Sequence, residues 1–473
     1  MNKWRYNYDL RSAVSLIAGA KRSERISRET LANIQQKRFS RLLDYSRKHS
    51  PFYRDLFHLN RSDLSLNKLE ELPTVNKATV MENFDDVLTD RSIDRTAVLE
   101  FAEDPSNLGS TLREKYFVAR TSGTTGLVGH YVHDLYSYFL INALTGARSK
   151  GLKLLSLLKS HYLSPRRLRV VSLLSPAANL GVASVIASAP KWVRLFIEFR
   201  LVDIFEPWDR VIEELNEFQP DVVGSFPTIL EQLADSRREG KLRIQPQTVR
   251  SGGETLTARV REFISEAFLC EVYDCYGCAE CGWLGMECEQ RQGIHIFADW
   301  FIVEAVDKDG HRVPPGIESD KILVTNLANY VQPFIRFELP DRVTILEEDC
   351  PCGSVLPRVL LKGRASEVLY LAKGESEKTA VPPFHLTTLA EMVPGIQRYQ
   401  IIQEDANNLS VLFTARNGID PRVVCQSLES SFEDYLKKNG LSPYTALNVQ
   451  QTDMIQRDPS GKIRQVFSRI GAN

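Results

Sequence analysis

Six consecutive residues, Thr121-Ser122-Gly123-Thr124-Thr125-Gly126, combine hydroxyls with glycines. Glycine admits positive φ and lets a backbone come close to a ligand. Freed amides and hydroxyls then offer many donors to an anion, so such a loop between a strand and a helix can cradle phosphate. No Gly-Lys-Ser/Thr follows, so this is not a Walker loop. Composition alone reads equally as a polar turn. Further along, Ser251-Gly252-Gly253-Glu254 ends one apolar run and Tyr276-Gly277-Cys278-Ala279-Glu280 follows the next. Pro333-Phe334-Ile335-Arg336-Phe337 leads to Asp341 and then to Lys362-Gly363-Arg364. Asp458-Pro459-Ser460-Gly461-Lys462 stands near the C-terminus. Singly, each has a plainer reading. Lys462 and Arg364 read as solvated charges, Asp341 as a turn cap after Pro340, and Gly252-Gly253 as a strand end.

These residues need elements to hold them. Residues 23–48 read as a helix, with Leu31, Ile34, Phe39, Leu42 and Leu43 on one half of its wheel and Pro51 ending it. From about residue 115, short apolar runs alternate with amphipathic stretches, as at Arg169–Leu174, Val222–Ser225 and Val249–Ser251. Leu256–Phe268 reads as a helix and Cys270–Tyr273 as the next strand. This alternation implies an α/β core with mainly parallel strands, whose loops bind ligands at one end of the sheet. Ile302–Val306, Ile322–Thr325 and Arg342–Leu346 read as antiparallel strands, with Asp309-Gly310 as a turn. A smaller α+β unit follows a boundary near Arg364, giving expected domains of 1–364 and 365–473.

The whole chain sets bounds. Its 473 residues exceed one compact core. Lys plus Arg total 59 against 60 Asp plus Glu, so the basic excess of a nucleic-acid binder is missing. Ala13–Ala20 loosely resembles a signal core but reads better as amphipathic helix. Val170–Pro190 carries no charge, yet Pro176, Asn179 and several serines favour a buried strand, a loop and a helix start over a membrane span. A cytoplasmic protein without integral membrane association is expected. Seven of the eight cysteines fall between Cys270 and Cys352, which suits a reducing compartment and metal binding rather than bridges.

The ordered set of motifs resembles the adenylate-forming superfamily of acyl-CoA synthetases, adenylation domains and luciferases. It is most similar to the phenylacetate–CoA ligase and capsule-biosynthesis branch, from His49-Ser50-Pro51-Phe52-Tyr53 to Lys462. The resemblance implies that a large α/β domain binds ATP and a carboxylic acid while a small C-terminal lid rotates about Arg364. It implies that Thr121, Ser122, Gly123, Thr124, Thr125 and Gly126 wrap the β- and γ-phosphates, with Thr125 among the catalytic residues. Gly252, Gly253 and Glu254 would border the adenine, with Tyr276 and Gly277 beside it. Glu280 would hold Mg²⁺, Asp341 the ribose hydroxyls, and Arg364 the ribose and phosphate. Lys462 would bridge the carboxylate and the α-phosphate.

Three departures stand out. Leu127-Val128-Gly129-His130 replaces Pro-Lys-Gly, Leu339-Pro340-Asp341 replaces Thr-Gly-Asp, and Ser366-Glu367 replaces paired aspartates. Without the usual lysine, charge at the phosphates must come mainly from Mg²⁺, Arg364 and Lys462. His130 and His133 line the acyl or phosphate site, or lie on the surface.

The cysteines admit two groupings. Cys275, Cys278 and Cys281 suit an iron–sulfur cluster, but Cys278 lies inside Tyr-Gly-x-x-Glu. Cys288, His295, Cys350 and Cys352 suit a closed tetrahedral zinc site, and some relatives show a similar pattern. The cofactors that the resemblance implies are ATP/AMP, Mg²⁺ and coenzyme A, and the cysteine–histidine set adds structural Zn²⁺ as an expectation. The expected reaction is ATP-dependent activation of an aromatic or aliphatic acid and transfer to coenzyme A or carrier-protein pantetheine. Its acyl pocket would lie along Ser175–Ser184 and Val223–Ile229, near Trp208 and Phe226. Transfer to an amine, or a non-catalytic zinc-stabilised protein, are the alternatives.

Overall fold

A computed structural model describes residues 10–57, 65–120, 128–148, 166–174, 180–187, 189–253, 256, 258–361, 369–374, 377–381, 383–415, 418–455 and 466–470. The chain forms two compact units. The larger contains His130–Asp203 and Glu214–Gly363 with the preceding N-terminal chain, and the smaller contains Arg364–Asn473 with Ile204–Glu213.

The N-terminal region forms two helices, and the helix read over 23–48 begins at Arg28. Leu10–Ser23 ends in a turn, and Ser27 then caps Arg28–His49 by accepting from the Thr30 amide. Leu31, Phe39, Leu42 and Leu43 are buried. Ser50 caps the next helix, Pro51–Leu56, with proline in its first turn, where its missing N–H costs nothing.

β1 (Tyr116–Arg120) and β2 (His130–Asp134) pair as an antiparallel hairpin, with Arg120 opposite His130 at its tip. β3 (Leu168–Leu173), β4 (Ile197–Val202), β5 (Val222–Ser225), β6 (Thr248–Gly252) and β7 (Glu271–Cys278) run parallel. Buried Val171, Val222, Val223, Val249 and Val272 suit strands covered on both faces. Val170–Pro190 contributes β3 and the helix Leu180–Ala187. No helix among the described residues is long and apolar enough to cross a membrane.

The sheet then changes character. β8 (Gly282–Glu287) and β9 (Ile294–Ile296) run antiparallel to their neighbours. β10 (Phe301–Val306), β11 (Lys321–Asn326) and β12 (Phe337–Leu339) form a separate antiparallel sheet. β13 (Val343–Ile345) and β14 (Arg358–Leu361) return to the large one, whose order is β13-β14-β9-β8-β7-β6-β5-β3-β4. The α/β class expected from the alternation is the class observed.

In the smaller unit, β15 (Leu369–Ala372) pairs with β16 (Lys378–Val381). β17 (Ile396–Gln403), β18 (Asn408–Ala415), β19 (Ala446–Gln451) and β20 (Val466–Ser468) make a sheet ordered β19-β18-β17-β20. The helix Pro421–Lys438 places Val424, Leu428, Phe432 and Leu436 on one stripe, buried with Tyr399, Ile401, Val411 and Phe413. This unit has its own hydrophobic core and α+β character.

Candidate active site

β6 and β7 are adjacent parallel strands, so their C-terminal ends open on the same edge of the sheet. Gly252 closes β6, and Gly277 lies near the end of β7. Both glycines are needed for room. A Cβ on Gly252 would meet the Cys275 carbonyl oxygen at 2.9 Å and the Trp283 ring at 3.1 Å. One on Gly277 would meet Gly282 at 2.8 Å and the same indole at 2.9 Å. Gly253 has φ +81 and lies against Phe226, whose ring would be 2.8 Å from an added Cβ. The bare faces of these glycines are thus covered by the chain's own aromatic rings. Trp283 was not singled out from sequence, because only the β7–β8 pairing brings it opposite Gly277.

Tyr276 and Asp341 come together across 65 residues of sequence. The buried Tyr276 hydroxyl donates to Asp341 Oδ2 at 3.0 Å. Four residues beyond Tyr276, Glu280 sits in the β7–β8 connection and is buried. Tyr276, Gly277, Glu280 and Asp341 therefore lie around one hairpin.

Facing that hairpin is β2. His133 Nε2 meets the Ala279 carbonyl at 3.1 Å, and His133 Nδ1 lies 3.5 Å from Asn329 Nδ2. A carbonyl can only accept, so Nε2 carries the proton and Nδ1 accepts from the amide. Burial pushes His133 down to about 4. His130 falls to about 4 through burial and through Arg120, Arg95 and Lys77. Both histidines are buried, which excludes the surface alternative. Their strand is fixed from outside: the Val132 amide donates to Gln332 Oε1 at 2.8 Å, and Asn329 Nδ2 donates to the Val132 carbonyl at 2.9 Å.

Thr121, Ser122, Gly123, Thr124, Thr125, Gly126, Leu127, Glu254, Arg364, Ser366, Glu367 and Lys462 lie outside the described residues, as do positions 175–179 of the expected acyl pocket.

A second constellation lies at the other end of β8. The ligand atoms of Cys288, His295, Cys350 and Cys352 all lie within 4.8 Å of one another. Cys288 Sγ is 3.6 Å from Cys350 Sγ, and Cys352 Sγ is 3.6 Å from His295 Nε2. Tetrahedral zinc with Zn–S bonds of about 2.3 Å sets its sulfurs about 3.8 Å apart, so the donor set fits that ion. His295 Nδ1 donates to the Leu356 carbonyl at 3.0 Å, which aims the Nε2 lone pair at the sulfurs. Gly353, at φ +77, donates its amide to the Cys350 carbonyl and turns the chain between the two thiols and β14. Cys275, Cys278 and Cys281 form no such group among the described residues.

The chain matches the family described as AMP-binding enzyme over residues 56–318. It belongs to the AMP-binding enzyme family. Within this family it is 26% identical over 399 residues to a phenylacetate-coenzyme A ligase of Thermus thermophilus, covering 80% of this chain and 79% of that one. It is 20% identical over 450 residues to protein CapK of Staphylococcus aureus, covering 93% and 90%. Among solved structures it resembles 2-hydroxyisobutyryl-CoA ligase in complex with 2-HIB-AMP and CoA, with TM-score 0.62, 20% identity and coverage of 95% and 91%. The resemblance to the adenylate-forming superfamily, on its phenylacetate–CoA ligase-like branch, is borne out.

Proposed function

We propose that this AMP-binding enzyme uses ATP to activate a carboxylic acid and passes the acyl group to a thiol, coenzyme A or a carrier-protein pantetheine. The observation that carries this is the Tyr276–Asp341 hydrogen bond, which brings Asp341 to the hairpin that carries Glu280. The printed names of the relatives support the same reaction class.

In this reading the acid's carboxylate oxygen attacks the α-phosphorus, the α–β phosphoanhydride bond breaks, and pyrophosphate leaves. The thiol sulfur then bonds to the acyl carbon, the acyl–phosphate bond breaks, and AMP leaves. Asp341, oriented by Tyr276, accepts from the ribose hydroxyls. Glu280 holds Mg²⁺, which neutralises phosphate charge. Thr121 to Gly126 embrace the outer phosphates, and Gly252, Gly253 and Glu254 line the adenine. Arg364 and Lys462 bring positive charge to the phosphates, with Lys462 carried by 365–473 acting as a lid. The apolar and small residues of Val223–Ile229 favour an aromatic or aliphatic acid.

ATP–pyrophosphate exchange across a panel of such acids tests this. At least one acid should support exchange, and Lys462→Ala should lower it by about 10²-fold or more. Exchange with no acid, or exchange untouched by K462A, overturns the proposal. Adding coenzyme A or hydroxylamine after adenylation separates thiol from amine transfer.

The same reading gives Cys288, His295, Cys350 and Cys352 a structural zinc ion and places the enzyme in a reducing compartment. The 3.6 Å donor spacings and the oriented His295 support it. Elemental analysis should find about one zinc per chain, with four protein ligands as in a closed site. A folded, metal-free protein would refute it.

A further inference from the structure

Where β5, β6 and β7 end, the chain leaves room and then fills it with its own rings. These strands run parallel and side by side, so Phe226, Gly253 and Gly277, at or just past their ends, line one edge of the sheet. Trp283 enters from β8, opposite Gly277. Its indole covers Gly277 and reaches Gly252 on β6, lying 2.9 and 3.1 Å from where their β-carbons would stand. The Phe226 ring takes the same place on Gly253, at 2.8 Å. Two aromatic rings thus occupy the space that three glycines open.

Burial gives way at this edge. Val222, Val249 and Val272 are buried within the strands, whereas Phe226, Gly277 and Trp283 are partly exposed and Gly253 is exposed. Each ring is therefore packed against bare backbone on one side and open on another. The opening lies at the carboxyl ends of parallel strands, where α/β sheets take their ligands. A group that covers a ring there gains about 25 cal/mol for each Å² of apolar surface removed from water. Phe226 offers no hydrogen bond and neither ring carries charge, so the group that gains most is apolar. Of the reactants in adenylation, the acid brings the hydrocarbon, and Phe226 lies within the Val223–Ile229 stretch.

We propose that Trp283 and Phe226 form the end wall of the acyl pocket and restrict the enzyme to short-chain aliphatic acids. With the space at the glycines already taken by two rings, an aryl group or a long chain has no room to extend there. The inference rests on the adenylation reading and names the acid class for it. It also gives the glycines a second task, since any larger residue at 252, 253 or 277 would push the rings out of place.

The test is ATP–pyrophosphate exchange by the full-length protein with acetate, butyrate, hexanoate and phenylacetate in turn. Wild type is compared with Trp283→Ala and Phe226→Ala. Wild type should use acetate or butyrate best, with kcat/KM lower by about 10-fold or more for hexanoate and phenylacetate. Each alanine variant should raise the ratio of kcat/KM for a large acid to that for butyrate by about 10-fold or more, with the KM for ATP as in wild type. If W283A does not fold, Trp283→Leu must show the same shift to a smaller degree. A merely structural role lowers exchange equally with every acid, and a ring that serves the adenine raises the KM for ATP with every acid. Either pattern overturns the inference, as does a wild-type preference for phenylacetate. Exchange with an unmoved size profile removes this inference and leaves the adenylation reading standing. Exchange with no acid at all brings down both.

Discussion

His133 commits one ring nitrogen to the Ala279 carbonyl and the other to the Asn329 amide. The bond from Asn329 needs the neutral ring, since Nδ1 accepts it, and burial holds the group near pH 4. An unfolded histidine titrates near 6.5, so below that pH the unfolded chain takes up a proton that the fold refuses. The stabilising contribution is therefore complete above pH 6.5 and is lost as pH falls towards 4. Between pH 7 and 5 it should amount to about 2 kcal/mol. Asp274, raised to about 7 by burial and Glu287, works in the opposite sense, so the difference between wild type and His133→Gln is the quantity to measure. Urea unfolding at both pH values should show wild type losing more stability than H133Q, and equal losses would contradict the assignment. The residue types in Tyr-Gly-x-x-Glu and at Asp341 were legible because their chemistry is local. The roles of His133 and Trp283 were not, since each depends on what a distant or neighbouring strand sets opposite it.

The turn between the first two helices packs beside the cysteine cluster. The Val355 amide donates to the Glu24 carbonyl at 2.9 Å, and Ile26, Leu31, Ala298, Val355 and Leu356 pack together. If the cluster holds zinc, Cys352→Ser or chelation should loosen this contact as well as the knuckle. Limited proteolysis should then cut near residues 24–27, and a cleavage pattern indifferent to metal would count against that coupling. The helices are also held by a buried pair: Arg148 Nη2 contacts Asp299 at 2.8 Å, and Ser23 bonds both. Removing one partner of such a pair costs about 3–5 kcal/mol, so Arg148→Ala should lower stability by that order in denaturant unfolding. The helical period around Leu31–Leu43 announced the long helix. Its start was read at residue 23 and lies at Arg28, because the polar residues 24–27 suit a turn and a solvated helix face equally.

At the scale of the molecule, alternation of apolar runs with amphipathic stretches foretold the α/β class. It did not foretell the switch after β7, where short antiparallel strands complete a nine-stranded sheet. Periodicity reports which faces are buried, and it is silent on strand direction. The two units are compact separately, and the smaller holds one of the five tryptophans, Trp208, so fluorescence weights the larger unit. Equilibrium unfolding should therefore depart from two-state behaviour, with tryptophan fluorescence and far-UV circular dichroism giving different midpoints. Coincident curves would mean that the units unfold as one.

The long-range bonds of the N-terminal helices bear on how the chain is made. Tyr53 donates to the Pro333 carbonyl and Ser23 to Asp299, partners 280 and 276 residues apart. At about 5–20 residues per second, a ribosome leaves these helices without partners for roughly 15–55 s. During that interval Leu31, Phe39, Leu42 and Leu43 have no core to enter. The nascent chain should therefore depend on chaperones from its first helices onward, well before any catalytic residue has been synthesised.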